Sequence, residues 1–170
     1  MKTLENFIKE TKYRNGLYIS VIPDMNDLNP ILDKIKKELK IDFVNDFHIT
    51  VIYSNRVIFD EYAEQIHQRL NHKNRTTNIV GLTVFGGHDS KYYLVLLLKS
   101  KTLDSINKIF VDSGYKPKDF ENYQPHITIA KQELQYDYHT QDLINKWNEY
   151  FSKEKPIIHF GKEIIEDLDD

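Results

Sequence analysis

NDFHITVIYS, residues 45–54, decides how this chain is read, because a near copy, YQPHITIAKQ, returns at residues 123–132. His48-Ile49-Thr50 and His126-Ile127-Thr128 are separated by 78 residues (126 minus 48). Shuffling this composition yields roughly 0.04 His-Ile-Thr triplets, and two of them about once in a thousand trials, so the repeat carries information.

The surroundings of the two copies match as well. GLYISVIP (16–23) has the apolar character of a strand closed by Pro23, and NDLNPILDKIKKELK (26–40) puts Ile31, Leu32, Ile35 and Leu39 on one helical face, with Pro30 near its first turn. The first His-Ile-Thr strand follows. In the second half, KYYLVLLLKS (91–100) is the strand, TLDSINKIFVDSG (102–114) the helix ending at a glycine that can cap it, and HITIAK the motif strand. Strand, helix, short loop, motif strand thus occurs twice, an internal duplication with a period of roughly eighty residues. The remaining segments read as a helix over residues 2–12, a helix over 59–72, a strand in TNIVGLTVFGG, a helix over 140–152 and a final extended stretch, PIIHFGKEIIEDL. The expectation is an α+β fold of one domain over 1–170, with two pseudo-symmetric antiparallel-sheet lobes, formed roughly by 16–86 and 91–170, and outer helices around a central cleft.

Composition narrows the function. At 170 residues and 40% apolar content the chain can bury one good core. A net charge of −3 argues against holding long nucleic acid by phosphate neutralisation, but leaves a small anionic ligand possible. Zero cysteines exclude disulfides, thiolate metal sites and a cysteine nucleophile, which fits a reducing cytoplasm. MKTLENFIKETKY interleaves apolar residues with charges, so no export leader is expected, and no apolar run is of membrane-spanning length.

On a strand, alternate side chains share a face, so His48 and Thr50 project together while Ile49, Val51 and Tyr53 face the other way; His126 and Thr128 pair likewise. If a pseudo-twofold axis relates the lobes, two imidazoles and two hydroxyls converge. Phosphodiester cleavage needs that set: a neutral imidazole to take a proton from the attacking oxygen, a protonated one to supply the leaving oxygen, and hydroxyls to donate to the non-bridging oxygens. A single His-x-Thr is more often a satisfied polar pair in a strand, but two copies in two matching halves favour chemistry. Symmetry leaves open which histidine is the base. No His-x-His, His-x-x-x-His or carboxylate cluster adjoins the motifs, so neither metal nor cofactor is expected. His67, His72, His88, His139 and His159 are read as surface or packing residues.

These features resemble the two-histidine (2H) phosphoesterase superfamily over nearly the whole chain. PHITIA is close to that family's second motif, while FHITVIYS has Phe47 where proline is also common. The resemblance implies a bilobal fold, metal-independent chemistry, and His48, Thr50, His126 and Thr128 as the catalytic set. Within the superfamily, TKYRNGLYISVIPD, FHITVIYS and FGKEIIEDL are most similar to the phage anti-CBASS enzymes. That implies a cyclic oligonucleotide substrate such as 3′,3′-cyclic GMP-AMP, cleaved at 3′–5′ bonds in the host bacterial cytoplasm, which disarms host immunity. It also implies that Tyr13 stacks on a base and Glu163 touches the nucleoside. Arg14 and Lys131 are nearby sources of positive potential. Two other functions compete: a 2′,5′-RNA ligase-like or 2′,3′-cyclic phosphodiesterase of RNA processing, which ordinarily recruits a more basic surface, and a non-catalytic sponge, which has no use for two intact histidines.

Overall fold

The computed structural model describes residues 2–3, 13–14, 17–54, 58–59, 70, 74–86, 92–115, 122–132 and 138–167. Its strands are β1 (Lys2–Thr3), β2 (Tyr13–Arg14), β3 (Leu17–Val21), β4 (Ile49–Ser54), β5 (Ile58–Phe59), β6 (Thr76–Gly86), β7 (Tyr92–Lys99), β8 (His126–Gln132), β9 (Ile157–His159) and β10 (Ile164–Asp167). The helices are α1 (Met25–Leu39), α2 (Lys101–Asp112) and α3 (Tyr138–Glu154). Among the described residues the strands make two four-stranded antiparallel sheets, ordered β1-β10-β3-β4 and β8-β7-β6-β9, and a small ribbon of β2 and β5.

The helices begin where the sequence supplies caps. The Asp24 carboxylate accepts from the Asn26 amide at 2.8 Å to open α1, and Ser100 Oγ accepts from Leu103 N at 3.1 Å to open α2. The Ser100 hydroxyl also donates to the Thr76 carbonyl at 2.7 Å, tying the start of α2 to β6. Gly114 follows α2 with φ of +103°, a conformation glycine takes without steric penalty. Pro30 lies in the second turn of α1, later than expected, on the exposed side, where the backbone bond it removes leaves a carbonyl that water can reach. Leu28, Leu32, Ile35 and Leu39 of α1, Leu103, Ile106 and Phe110 of α2, and Ile144 and Phe151 of α3 are buried in one core with the inner faces of both sheets. Each such side chain contributes about 1.5–3 kcal/mol by leaving water.

Two expected helix starts are strands instead. Lys2–Thr3 is an edge strand paired with Ile164 and Ile165, not the start of a helix, because a free sheet edge supplies main-chain partners that a local apolar spacing does not foresee. Phe59 likewise pairs with Tyr13 in the ribbon, so no helix begins there; Leu70 is a buried turn residue, and the rest of the expected helices at 2–12 and 59–72 lies outside the described residues.

The duplication is also partitioned differently from the halves 16–86 and 91–170. β6 belongs to the second sheet and β10 to the first, so each half lends one strand to the other lobe. The exchange occurs in the closing stretch, where β9 pairs with β6 and β10 inserts between β1 and β3. Between them, Phe160 N donates to Arg75 O and Gly161 N to Ile22 O, both at 3.0 Å, so the crossing segment is held on both sides. The consequence for the site is the position of β4 and β8. Each is the terminal strand of its sheet, and the two lie near one another: Val44 N, just before β4, donates to Ile129 O of β8 at 2.9 Å.

Candidate active site

Both motif strands are irregular at the same place. On β4, Ser20 pairs with Thr50 and Ile19 with Ile52, which leaves Val51 as an extra residue; on β8, Val95 pairs with Thr128 and Leu94 with Ala130, which leaves Ile129 extra. A bulge thus follows each threonine directly, and bulges re-aim the side chains around them. Each unpaired carbonyl finds a partner elsewhere: Val51 O accepts from Asn107 Nδ2 of α2 at 2.8 Å, and Ile129 O from Val44 N. Strict alternation puts Tyr53 on the face opposite His48, and the bulge corrects this. Val51 and Ile52 are both buried, and Tyr53 turns to the side of Tyr18, its ring 6.0 Å away edge-on. Lys131 makes the matching turn in the second lobe, with Nζ 5.5 Å from the centre of the Tyr93 ring.

His48 immediately precedes β4 and is exposed, with its ring edge-on to Tyr18 at 6.1 Å. Partial loss of water around the ring lowers its pKa below 6.5, and the charge of His126 adds to the effect; Asp46 and Glu166 act in the opposite sense. His48 and His126 therefore lie within electrostatic reach of each other. His126 opens β8, packs edge-on to Phe85 at 5.2 Å, and holds Nδ1 3.0 Å from the carbonyl oxygen of Gln124. A carbonyl only accepts, so the proton is on Nδ1 and Nε2 is the atom left for proton transfer.

Thr50 is fixed at two points. Its Oγ1 lies 3.0 Å from the Tyr18 hydroxyl, and its carbonyl accepts from the Tyr123 hydroxyl at 2.9 Å. Burial raises the pKa of Tyr18, which its bond to Thr50 lowers in part and Glu166 raises further; burial, then the charge of Asp104, raises that of Tyr123. Both phenols stay protonated at any functional pH. Thr128 is half-buried on β8, opposite Val95. Beside His48 opens a cavity of about 490 Å³ lined by Tyr18, Ser20, Ile22, Met25, Asn45, Asp46, Phe47, His48 and Glu166.

Of the two residues expected to bind substrate, only Glu163 has a described side chain, and it is held in an ion pair. Glu163 is 5% exposed, and both its carboxylate oxygens accept from Arg75, at 2.8 and 3.1 Å; Arg75 also donates to Gly161 O at 3.1 Å. Its oxygens are thus committed to holding the crossing between β9 and β10. On the same terminal segment it is Glu166, three residues on, that faces the His48 cavity, together with Asp46. Tyr13 and Arg14 are described as main chain only, in β2, and their side chains lie outside the described residues, as do His67, His72 and His88. His139 is exposed in the first turn of α3, and His159 Nδ1 meets Asp27 Oδ2 at 2.9 Å, which ties β9 to α1. Sequence reasoning missed Tyr18, Tyr123 and Glu166. Tyr18 and Glu166 are tied to the motif by strand register alone, whereas Tyr123, three residues before His126, was within reach of a local reading.

Among the described residues, no group of three or more His, Asp or Glu side chains is arranged to hold a metal ion, and no helix is long and apolar enough to cross a membrane. No curated protein matches the chain. Among solved structures it is similar to Usb1 of Kluyveromyces marxianus with uridine monophosphate, at 11% identity and a TM-score of 0.54, over 92% of this chain and 96% of that one. The fold is accordingly the bilobal, two-sheet arrangement of the 2H phosphoesterases, as the motifs lead one to expect. The family model described as anti-CBASS protein Acb1 matches residues 15–170, and the chain therefore belongs to that family.

Proposed function

We propose that this member of the family is a metal-independent phosphodiesterase that opens 3′–5′ bonds of cyclic di- and trinucleotides such as 3′,3′-cyclic GMP-AMP, with His48, Thr50, His126 and Thr128 as its catalytic residues. By this reading it works in the cytoplasm of an infected bacterium and removes the nucleotide signal of the host's defence. The observation that carries the proposal is the matched pair of bulged His-x-Thr strands at neighbouring sheet ends, with His126 close enough to lower the pKa of His48.

His48, held neutral, is the general base, and His126, its Nδ1–H anchored on Gln124, is the general acid acting through Nε2. The ribose 2′-hydroxyl beside the scissile bond loses its proton to His48 as its oxygen attacks phosphorus. The 5′-oxygen leaves with the proton from His126. The product is linear and ends in a 2′,3′-cyclic phosphate; water opening that ring runs the proton transfers in reverse and restores both histidines. Thr50 and Thr128 donate to the non-bridging oxygens. Lys131, turned by its bulge to the side of Thr128, adds positive potential there. The cavity beside His48 has room for a base and ribose. Its carboxylates, Asp46 and Glu166, repel phosphate and accept from base amino groups or sugar hydroxyls.

The test is incubation with 3′,3′-cyclic GMP-AMP in EDTA, with linear product followed by chromatography, for the wild type and for His48→Ala and His126→Ala. Cleavage by the wild type alone supports the proposal. Binding without turnover identifies a sponge, and turnover only of RNA 2′,3′-cyclic ends an RNA-processing enzyme; either overturns it.

A further inference from the structure

We propose that Tyr18 is a positioning residue: its phenol donates to Thr50 Oγ1 and so aims the threonine's own proton at a non-bridging oxygen of the scissile phosphate. The inference rests on the phosphodiesterase reading above and adds a residue to it.

A hydroxyl has one proton and two acceptor sites. With Tyr18 Oη 3.0 Å from Thr50 Oγ1, either atom can donate. If Thr50 donates to Tyr18, its proton is committed to the phenol oxygen and is lost to substrate. If Tyr18 donates, the threonine proton is released toward the cleft. Three features select the second arrangement. A phenol is a much stronger acid than an aliphatic alcohol, so of the two hydroxyls that of Tyr18 is the better donor. The Thr50 carbonyl is already held by Tyr123, which fixes the main chain from which the hydroxyl projects. An anion arriving between the lobes needs a donor, which biases a reversible pair of hydroxyls toward the orientation that supplies one. The ring of Tyr18 is edge-on to both His48 and Tyr53, so the phenol is held in place without help from substrate.

The second lobe handles the matching position otherwise. Tyr93 pairs with Lys131 as Tyr18 pairs with Tyr53, but there the ring lies against an ammonium group 5.5 Å away. The two threonines are therefore not equivalent: Thr50 is aimed by a phenol, while Thr128 works beside a cation. A phosphorus with two distinguishable non-bridging oxygens registers that asymmetry.

The experiment compares the wild type, Tyr18→Phe, Thr50→Val and the double variant on a cyclic dinucleotide, with Rp and Sp phosphorothioates at the scissile bond. Thermal melting and circular dichroism establish that each variant is folded. Tyr18→Phe keeps the ring and removes only the hydroxyl. It is expected to lower kcat about tenfold, a fraction of the effect of losing a transition-state donor outright, with KM within about twofold. In the wild type, sulfur at one non-bridging position slows the reaction more than at the other, and Tyr18→Phe narrows that difference. The double variant is no slower than Thr50→Val alone, because both changes remove the same interaction. Wild-type kcat in Tyr18→Phe, an unchanged Rp/Sp ratio, or a loss that multiplies with that of Thr50→Val overturns the assignment while leaving the phosphodiesterase reading intact. A folded Tyr18→Ala variant faster than Tyr18→Phe also overturns it. A wild type that turns over no cyclic dinucleotide sinks the underlying reading, and this proposal with it.

Discussion

The hydroxyl of Tyr123 donates to the carbonyl oxygen of Thr50 across 2.9 Å, so the segment that delivers His126 is bonded to the main chain of the other motif. Two strands far apart in sequence are thereby held in a fixed relation beside the proposed catalytic residues.

Tyr123→Phe removes that bond and leaves a half-buried carbonyl unsatisfied. The expected loss is about 1 kcal/mol of stability, read from the urea midpoint, together with a fall in kcat larger than any change in KM. A variant with normal kcat and lowered stability would assign the bond to folding alone.

The histidines set the pH response. Because the folded-state pKa of His48 lies below its usual 6.5, folding favours the neutral ring; that stability is present above 6.5 and is lost as pH falls through the lower, folded value. The same protonation removes the base, so the acid limb of the kcat/KM profile has its midpoint below 6.5. Asp46 and Glu166 pull the pKa upward, so Asp46→Asn and Glu166→Gln each move the limb to still lower pH. A rate profile in these variants that keeps the wild-type midpoint contradicts the assignment.

Glu163 supplies a contrasting prediction. It is buried against Arg75, whose side chain is 17% exposed, and removing one member of such a pair strands the other. Glu163→Ala is expected to cost about 3 kcal/mol in chemical denaturation. The kcat of the folded fraction should persist, since the carboxylate holds the strand crossing; a specific rise in KM for cyclic nucleotide would instead assign it to substrate.

Gly81 tests the seat of α3. A Cβ there would come within 2.7 Å of Asn148 Oδ1, which accepts from Leu82 N at 3.2 Å. Gly81→Ala displaces that amide and costs about 1–3 kcal/mol. In an Asn148→Ala background the same change is expected to be milder, the signature of a shared contact.

The motif strands and the helices α1, α2 and α3 were legible in the sequence, because period, caps and a repeated triplet are local signals. The site's finer structure was not. The bulges at Val51 and Ile129 that redirect Tyr53 and Lys131 depend on register against β3 and β7, which no single strand encodes. The exchange of β6 and β10 between lobes depends on tertiary contacts around Phe160 and Gly161, so halves cut from the sequence did not coincide with sheets. Glu163 and Glu166 differ only by position on one terminal segment. Burial against Arg75 separates them, and the partner lies 88 residues away in the chain.

The claim on which the mechanism depends is that the two imidazoles share one electrostatic environment. NMR titration of the His48 ring, in the wild type and in His126→Gln, tests it directly. Removing the His126 charge should raise the pKa of His48 toward 6.5, because one of the two influences holding it down is gone. An unchanged His48 titration, in a variant whose other resonances show the fold intact, would mean that the rings do not face a common phosphorus and would contradict the mechanism.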